Sequence, residues 1–349
     1  MNNFSNHIIP ETTNIKQALI SLNSIEDLFL ILFVIDSEGK MVGTITDGDI
    51  RRALINGVTM EEAVTTSMFR GFRFIRQKAF SLQQFRSYKE EGIKLLPVLD
   101  DENKIIGIKN LKELKSLLPI DVVIMAGGEG QRLRPLTENT PKPLLKVGDK
   151  PIIEHNIDRL AKFGVQNIYI TLRYLGHQIE DYLGDGSNKN TNIKYVTEKD
   201  KLGTLGAVGL CSQFENDVIL VMNSDLLTSI DYEDFYISFL ETNADMLIAA
   251  VPYAVKVPYA VLETENNRVK RFAEKPTYTY HSNAGIYLIK KELLSRVTGL
   301  EKYDATDFMQ DLINEERSVH TYPLMEYWLD IGKHDDYKKA QEAIKHMKL

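Results

Sequence analysis

The chain has 349 residues, of which 43% are hydrophobic and 26% are charged, a composition typical of a globular protein with about two domains. Its formal net charge of −7 at pH 7 argues against general binding to nucleic acid or membrane surfaces, so an anionic ligand needs a local basic pocket. A single cysteine excludes an internal disulfide, and with no long apolar run or signal-like N-terminus the sequence predicts a cytoplasmic protein.

The first part of the chain contains two similar halves, residues 28–54 and 93–118. Each half predicts an apolar strand, an acidic turn, a second strand and a helix, and such internal similarity indicates a duplicated unit. Both halves resemble a CBS motif, so we expect a small α+β domain, a CBS pair, over residues 1–118. Pro119 marks the boundary to a second domain over residues 119–349.

The resemblance to CBS pairs implies a regulatory nucleotide site in the first half. In that family a threonine and an aspartate three residues later commonly contact the ribose of an adenine nucleotide, and Thr46 and Asp49 match them. The second half has Asn110 and Glu113 instead, which predicts a degraded site there. The alternative is a pair that binds no ligand and only dimerises the protein. We expect a homo-oligomer.

A glycine-rich stretch follows the apolar run at residues 122–126, which predicts a strand buried on both faces. The glycines and cations of this stretch are Gly127, Gly128, Gly130, Arg132, Arg134 and Lys142. Glycines let backbone N–H groups approach a ligand and cations attract anions, so a phosphate-binding loop is predicted. Leu133 replaces the third glycine of a dinucleotide fingerprint, and the Gly-Lys-Ser/Thr of a P-loop is absent.

With the Thr-Pro-Lys-Pro of residues 140–143, this loop closely resembles the signature of nucleoside-diphosphate-sugar pyrophosphorylases. Gln131 departs from the threonine or serine that is usual in that family. The resemblance implies that Ala126 and the three loop glycines bind the nucleotide. It also implies that Arg132 holds the departing pyrophosphate and that Lys142 lies beside the α-phosphate.

Strands and helices alternate after the loop. The predicted helices are residues 151–163, 177–183 and 335–347, and the predicted strands are residues 167–172, 193–197 and 218–222. Such alternation predicts a Rossmann-like α/β fold with a mostly parallel mixed sheet, and the resemblance implies the nucleotide-diphospho-sugar transferase fold. Ligands bind beyond the carboxyl ends of the strands in such sheets, so functional side chains should follow apolar runs.

Two further blocks after predicted strands match the family. Glu198 follows a strand, and Gly203 and Gly206 open a helix whose free N–H groups should face the crevice. The resemblance implies that Gly203 contacts the nucleotide and that Glu198 and Thr204 contact the sugar. A plain capped helix is the structural alternative.

The region between residues 272 and 287 resembles the sugar-binding blocks of the same family. Its Glu-Lys-Pro implies that Glu274 contacts sugar hydroxyls and that Lys275 binds the sugar phosphate. The following Asn-x-Gly-Ile-Tyr implies that Asn283 bonds the sugar.

Two aspartates, Asp225 and Asp330, each end an extended segment. Mg²⁺ prefers one or two carboxylates together with phosphate oxygens and water. The two residues match the metal positions of the family, and Asp225 also belongs to the nucleotide site. After Gly332 the family often has Thr-Pro, whereas this chain has Lys333 and His334.

These motifs predict that the chain makes a nucleotide sugar and pyrophosphate from a nucleoside triphosphate and a sugar 1-phosphate. A CBS pair followed by a transferase domain resembles the glucosamine-1-phosphate guanylyltransferases of bacterial legionaminic acid pathways, which implies GTP and GDP-glucosamine. Mannose 1-phosphate and glucose 1-phosphate are competing acceptors. The alternative from another class is a nucleotide-sensing regulatory protein with an inactive transferase domain, and the complete phosphate, metal and sugar blocks weigh against it.

Overall fold

The computed structural model describes residues 4–25, 29–76 and 81–347, and the chain divides into two compact units, Met1–Leu117 and Leu118–Leu349. Each unit has its own hydrophobic cores. Every helix in the described residues is too short or too polar to cross a membrane.

The first unit contains one arrangement of strands twice. Its first half contains β1 (Ile8–Pro10), α1 (Ile15–Asn23), β2 (Ile31–Ile35), β3 (Met41–Thr46) and α2 (Asp47–Ile55). Its second half contains β4 (Ile75–Arg76), α3 (Leu82–Glu90), β5 (Leu95–Leu99) and β6 (Ile105–Asn110). In each half the central strand, β2 or β5, pairs in parallel with the strand before it and antiparallel with the strand after it. The two halves therefore share a topology, as a duplication requires.

The helix predicted for the end of the second half is wrong, because residues 111–118 form only turns and irregular structure. The N–H of Leu118 donates to the carbonyl of Phe163 at 2.9 Å, outside any local helix. Pro119 follows, and proline disfavours helical geometry in the residue before it. The chain therefore leaves the first unit without a helix.

The second unit is an α/β domain. Its strands are β7 (Asp121–Ala126), β8 (Lys146–Val147), β9 (Lys150–Pro151), β10 (Asn167–Leu172), β11 (Asn192–Thr197), β12 (Val218–Asn223), β13 (Leu226–Thr228), β14 (Met246–Lys256), β15 (Val261–Glu265), β16 (Arg268–Ala273), β17 (Thr277–Lys290), β18 (Val319–Pro323) and β19 (Trp328–Asp330). Its helices are α4 (Ile152–Lys162), α5 (Gly176–Leu183), α6 (Gly203–Gly206), α7 (Tyr232–Glu241), α8 (Ala305–Asn314) and α9 (His334–Ala343).

The main sheet has the strand order β11-β10-β7-β12-β17-β14-β18. The first four of these strands are mutually parallel, and β17 runs antiparallel to both of its neighbours. Val123 of β7 packs in a cluster with Ile219 and with Phe308 of α8, while Val122 and Ile124, fully buried, point to the opposite face. The sheet is therefore covered on both faces, and the predicted fold class is confirmed.

The element bounds differ from the predictions mainly at the C-terminus. The strand predicted at residues 167–172 is observed as β10 with the same bounds. The helix predicted at residues 335–347 is observed as α9, which begins one residue earlier, at His334, and ends at Ala343. His334 is therefore the first residue of a helix.

A buried carboxylate anchors the start of β7. Asp121 is fully buried and accepts hydrogen bonds from the side-chain amides of Asn167 and Asn216, at 3.1 and 2.8 Å. Its other oxygen accepts from the N–H groups of Glu215 and Asn216. A buried charge is tolerated when it is hydrogen-bonded in this way. The strand that carries the glycine-rich loop is thus held in place at its first residue.

An exposed ribbon extends from the main sheet. The last part of β14, from Pro252 to Lys256, pairs with the first part of β17, from Thr277 to His281, and nearly all of these residues are exposed. Between them β15 and β16 form an antiparallel hairpin. This ribbon carries the Glu-Lys-Pro block.

Candidate active site

The glycine-rich loop leaves β7 at Ala126, which is buried. Gly130 has a φ of +62°, in the left-handed region that favours glycine. A Cβ at this position would lie 3.0 Å from Cγ2 of Thr137 and 3.1 Å from Cβ of Lys142. The Thr137 hydroxyl also donates to the Gly130 carbonyl at 2.9 Å. The tight turn therefore requires glycine, and it brings Lys142 against the loop.

Glu198 connects the loop to the segment that follows β11. A Cβ at Gly127 would lie 2.5 Å from Oε1 of Glu198, so the carboxylate lies directly against the loop backbone. The other oxygen, Oε2, accepts from the N–H of Leu202 at 3.3 Å. Burial raises the pKa of Glu198. The predicted sugar residue is thus held between two parts of the site.

Pairing of two short strands brings the predicted metal ligands together. In the antiparallel pair of β13 and β19, Leu226 lies opposite Asp330. The N–H of Ile331 donates to the carbonyl of Asp225 at 3.1 Å. Because the two strands pair at this register, Asp225 and Asp330 lie side by side at the end of β12.

Lys142 lies between these carboxylates. Its Nζ forms an ion pair with Asp225 and is 3.9 Å from Oδ1 of Asp330, and its side chain is only 12% exposed. Oδ1 of each aspartate is buried and has no hydrogen-bond partner. A buried oxygen without a donor is costly, so both atoms are suited to receive a cation or a ligand donor.

The donor set fits Mg²⁺ when part of its coordination comes from a ligand. Two carboxylates with phosphate oxygens and water are the usual environment of this ion. Among the residues described by the structure, no group of three or more acidic, histidine or cysteine side chains could hold a metal by itself. The protein alone therefore supplies only part of the ligands that such an ion needs.

Opposing charges act on Asp330. Burial and the neighbouring Asp225 carboxylate raise the pKa of Asp330, and Lys142 and Arg132 partly offset this rise. The guanidinium of Arg132 lies 3.6 Å from the position that a Cβ at Gly332 would take. Arg132 therefore reaches from the loop to the segment that follows Asp330.

The expectation of free N–H groups at the start of α6 is wrong for residues 204–206. The N–H of Thr204 donates to Oδ1 of Asp304 at 3.1 Å, and the next two N–H groups donate to the carbonyl of Tyr303, at 2.9 and 2.8 Å. The hydroxyl of Thr204, expected to contact the sugar, accepts from the N–H of Ala305 at 2.7 Å. The residues that precede and begin α8 therefore already satisfy this segment.

Asn283 lies close to Asn223, which the sequence analysis did not name as a candidate site residue. Oδ1 of Asn283 accepts from the N–H of Gly285 at 2.8 Å. A Cβ at Gly285, where φ is +71°, would lie 2.5 Å from Nδ2 of Asn223. Asn223 ends β12, two residues before Asp225. Its position directly after an apolar run could have identified it as a candidate site residue.

Arg173 also was not named as a candidate site residue by the sequence analysis. It follows β10 directly, and its Cβ lies 3.4 Å from the position of a Cβ at Gly127. Its Nη2 donates to Oε1 of Glu129 at 3.1 Å, and the amide of Gln131 donates to the other oxygen at 2.7 Å. These two donors lower the pKa of Glu129. Gln131, the departure from the family pattern, thus helps to hold the loop together.

Glu274 and Lys275 lie on the exposed ribbon, outside the contacts that join the other site residues. Lys275 has a φ of +44°, which for a residue with a side chain marks a tight turn. The loop glycines, the lysine–aspartate group and Asn283 lie at the carboxyl ends of β7 and β12, where ligands bind in such sheets.

The fold is an α/β domain in which a glycine-rich loop, a lysine and two carboxylates meet at the carboxyl ends of the strands. The family model described as nucleotidyl transferase matches residues 121–347, and the CBS domain model matches residues 6–56. The chain therefore belongs to the nucleotidyl transferase family and carries an N-terminal CBS domain.

Relatives of this chain include sugar-phosphate guanylyltransferases. The mannose-1-phosphate guanylyltransferase of Mycobacterium tuberculosis is 30% identical over 231 residues, which are 64% of this chain and 64% of that protein. The D-glycero-alpha-D-manno-heptose 1-phosphate guanylyltransferase of Aneurinibacillus thermoaerophilus is 28% identical over 235 residues, 65% of this chain and 99% of the relative. The crystal structure of HddC from Yersinia pseudotuberculosis complexed with GMP-PN is 28% identical with a TM-score of 0.51, covering 64% of this chain and 99% of that one.

Proposed function

We propose that this chain transfers a nucleotidyl group from a nucleoside triphosphate to a sugar 1-phosphate and releases pyrophosphate. An oxygen of the sugar phosphate bonds to the α-phosphorus, and the bond from that phosphorus to the bridging oxygen of the β-phosphate breaks. The observation that carries this proposal is Lys142 between Asp225 and Asp330, directly beside the glycine-rich loop.

The residues act by placing and neutralising phosphates. The sugar phosphate is largely dianionic near neutral pH, so no general base is needed to make it a nucleophile. Lys142 lies beside the α-phosphate, Arg132 holds the departing pyrophosphate and Lys275 binds the sugar phosphate. Mg²⁺ held by Asp225 and Asp330 would neutralise charge on the reacting phosphates.

For the substrates, we propose GTP and glucosamine 1-phosphate, with mannose 1-phosphate and glucose 1-phosphate as the competing acceptors. The names of the relatives and the GMP-PN in the HddC structure favour guanine. The test is a pyrophosphate-release screen of the common nucleoside triphosphates against these sugar 1-phosphates. We expect the highest kcat/KM for GTP with glucosamine 1-phosphate. Release from no pair would support the regulatory alternative with an inactive transferase domain.

We expect Mg²⁺ binding to weaken as the pH is lowered toward the raised pKa of Asp330. A carboxyl with a raised pKa takes up its proton at a higher pH than an ordinary aspartate, and the protonated form is a poor ligand. The same shift makes the metal-free folded protein gain stability from protonation as the pH falls through that pKa.

Calorimetric titration of Mg²⁺ in the presence of the nucleotide, near neutral pH and at about pH 5, measures this effect. Asp330→Asn serves as the comparison. This variant should bind Mg²⁺ more weakly, and its Mg²⁺ affinity should lack the pH dependence that Asp330 contributes. An affinity of the unmodified protein that stays constant over this range would contradict the assignment.

For the N-terminal unit, we propose one regulatory nucleotide at Thr46 and Asp49. These residues form a capping box at the start of α2, in which Oδ2 of Asp49 accepts from the N–H of Thr46 at 2.9 Å and from its hydroxyl at 2.6 Å. Arg52 donates to the other oxygen at 2.6 Å. A ribose would have to compete with these bonds, so binding at this site should be coupled to the start of α2.

Asp49→Ala is expected to abolish nucleotide binding by the full chain and to lower the free energy of unfolding of the first unit by about 1 kcal/mol, because the hydrogen bonds that Asp49 accepts from Thr46 are lost. The matched control is Glu113→Ala, because Glu113 accepts from the side chain of Asn110 at the equivalent place. Calorimetric titration with adenine and guanine nucleotides and a denaturant titration measure the two effects. Binding that persists in Asp49→Ala would place the site elsewhere.

We also propose that the chain forms a homo-oligomer, as CBS pairs commonly associate. Light scattering of the full chain measures its mass in solution. A mass equal to the 39.8 kDa of one chain at all concentrations would contradict this proposal.

A further inference from the structure

His334 contacts the glycine-rich stretch. It is the first residue of α9, and its Nε2 lies 3.0 Å from the carbonyl oxygen of Arg134. A carbonyl only accepts hydrogen bonds, so the imidazole donates. Two residues earlier, Gly332 lies beside the guanidinium of Arg132. Residues 332–334 therefore contact the loop at both of its arginines.

The helix that carries His334 is fixed independently of this contact. The hydroxyl of Tyr337 and the side-chain amide of Gln341 each donate to the carbonyl of Lys146 at 2.7 Å. The N–H of Gly148 donates back to the side-chain oxygen of Gln341 at 3.0 Å. Because α9 is held by these three hydrogen bonds, its first residue is a donor at a fixed place.

An apolar contact lies next to the polar one. Leu133, between the two arginines, is fully buried in a cluster with Ile331 and with Ala340 of α9. Arg132 and Arg134 themselves are exposed. Leu133 anchors the loop in the hydrophobic cluster, and the hydrogen bond from His334 holds the next residue, Arg134, by its backbone carbonyl.

We propose that His334 is a positioning residue for the nucleotide: by holding the Arg134 carbonyl, it orients the loop so that Arg132 faces the triphosphate. This inference rests on the function proposed above. When an exposed loop becomes ordered only on binding, the lost conformational entropy lowers the affinity for the ligand. A hydrogen bond that orders the loop before binding reduces this loss. The sugar phosphate, bound through the exposed ribbon, does not depend on this contact.

The test compares the unmodified protein with His334→Ala, His334→Gln and His320→Ala. His320 is a matched control, because it is also exposed and makes one hydrogen bond, to the Ser318 hydroxyl at 2.9 Å, on the outer strand β18. The measurements are kcat, KM for each substrate, the Kd for pyrophosphate by calorimetry, and Tm.

His334→Ala is expected to raise the KM for the triphosphate and the Kd for pyrophosphate by about 3- to 10-fold, the value of one side chain–backbone hydrogen bond. The KM for the sugar phosphate should match that of His320→Ala, and so should Tm. His334→Gln should restore most of the affinity, because its amide can donate to the same carbonyl.

An unchanged triphosphate KM and pyrophosphate Kd in His334→Ala would overturn the inference, and so would equal losses for both substrates. Loss of affinity that His334→Gln does not restore would also overturn it, because the hydrogen bond would then not be the cause. Absence of turnover in the unmodified protein would contradict the proposed function instead, and the Kd for pyrophosphate would still test the role of His334.

Discussion

Asp225→Asn is expected to lower kcat/KM by about 30- to 1,000-fold, which corresponds to about 2–4 kcal/mol of lost transition-state stabilisation. One oxygen of this carboxylate pairs with Lys142, and the other is buried without a partner at the place where a cation fits. Asparagine keeps the shape but removes the charge and replaces one oxygen with a donor. The same change weakens the contact with Lys142 and the proposed bond to Mg²⁺.

The control for this substitution is Asp231→Asn. Asp231 caps α7 by accepting from the N–H groups of Glu233 and Asp234, at 2.9 and 3.1 Å, and asparagine caps helices equally well. Initial rates at several Mg²⁺ concentrations separate a loss of metal affinity from a loss of turnover. A rate for Asp225→Asn close to that of the control would show that this carboxylate does not hold the metal.

Lys142→Met is expected to lower kcat by about 100-fold or more, because the change removes the ammonium that we propose to lie beside the α-phosphate and keeps the apolar stem. The change also leaves Asp225 and Asp330 facing each other without the cation between them. An uncompensated pair of partly buried carboxylates is destabilising. The pKa of Asp330 should rise further, since Lys142 lowers it in the unmodified protein.

Two measurements follow from this change. The acid limb of the pH–rate profile should move to higher pH, and Mg²⁺ should raise Tm more than it does in the unmodified protein. Lys146→Met is the matched control, since Lys146 is an exposed lysine of the same stretch. Turnover of Lys142→Met at the level of this control would remove Lys142 from the reaction.

Local patterns predicted the fold class and the positions of the candidate site residues along the chain. Apolar runs at residues 122–126 and 218–222 predicted buried strands, because burial on both faces leaves a continuous apolar stretch. The rule that ligands bind beyond strand ends then selected the loop glycines and Asp225. Applied to β10, the same rule would also have selected Arg173.

Tertiary structure alone decided which of these residues meet. Asp330 lies beside Asp225 because β13 pairs with β19, and no periodicity in either segment indicates the partner or its register. Likewise, the N–H groups of α6 are satisfied by Tyr303 and Asp304, which are distant in sequence. The hydrophobic pattern of a segment indicates which of its faces is buried. It does not indicate the hydrogen-bond partners at the ends of the segment, because those partners come from other parts of the chain.

The C-terminal helix shows most clearly what the sequence indicates and what only the packing decides. The sequence predicted a helix over residues 335–347, but it carries no information on what the first residue of that helix contacts. The packing of α9 against Leu133 and its hydrogen bonds to Lys146 and Gly148 bring His334 to the Arg134 carbonyl. The sequence by itself therefore determined the fold class and the family, and it predicted a phosphate-binding site. The folded chain determined which side chains hold that site in place, because those contacts join segments that are far apart along the chain.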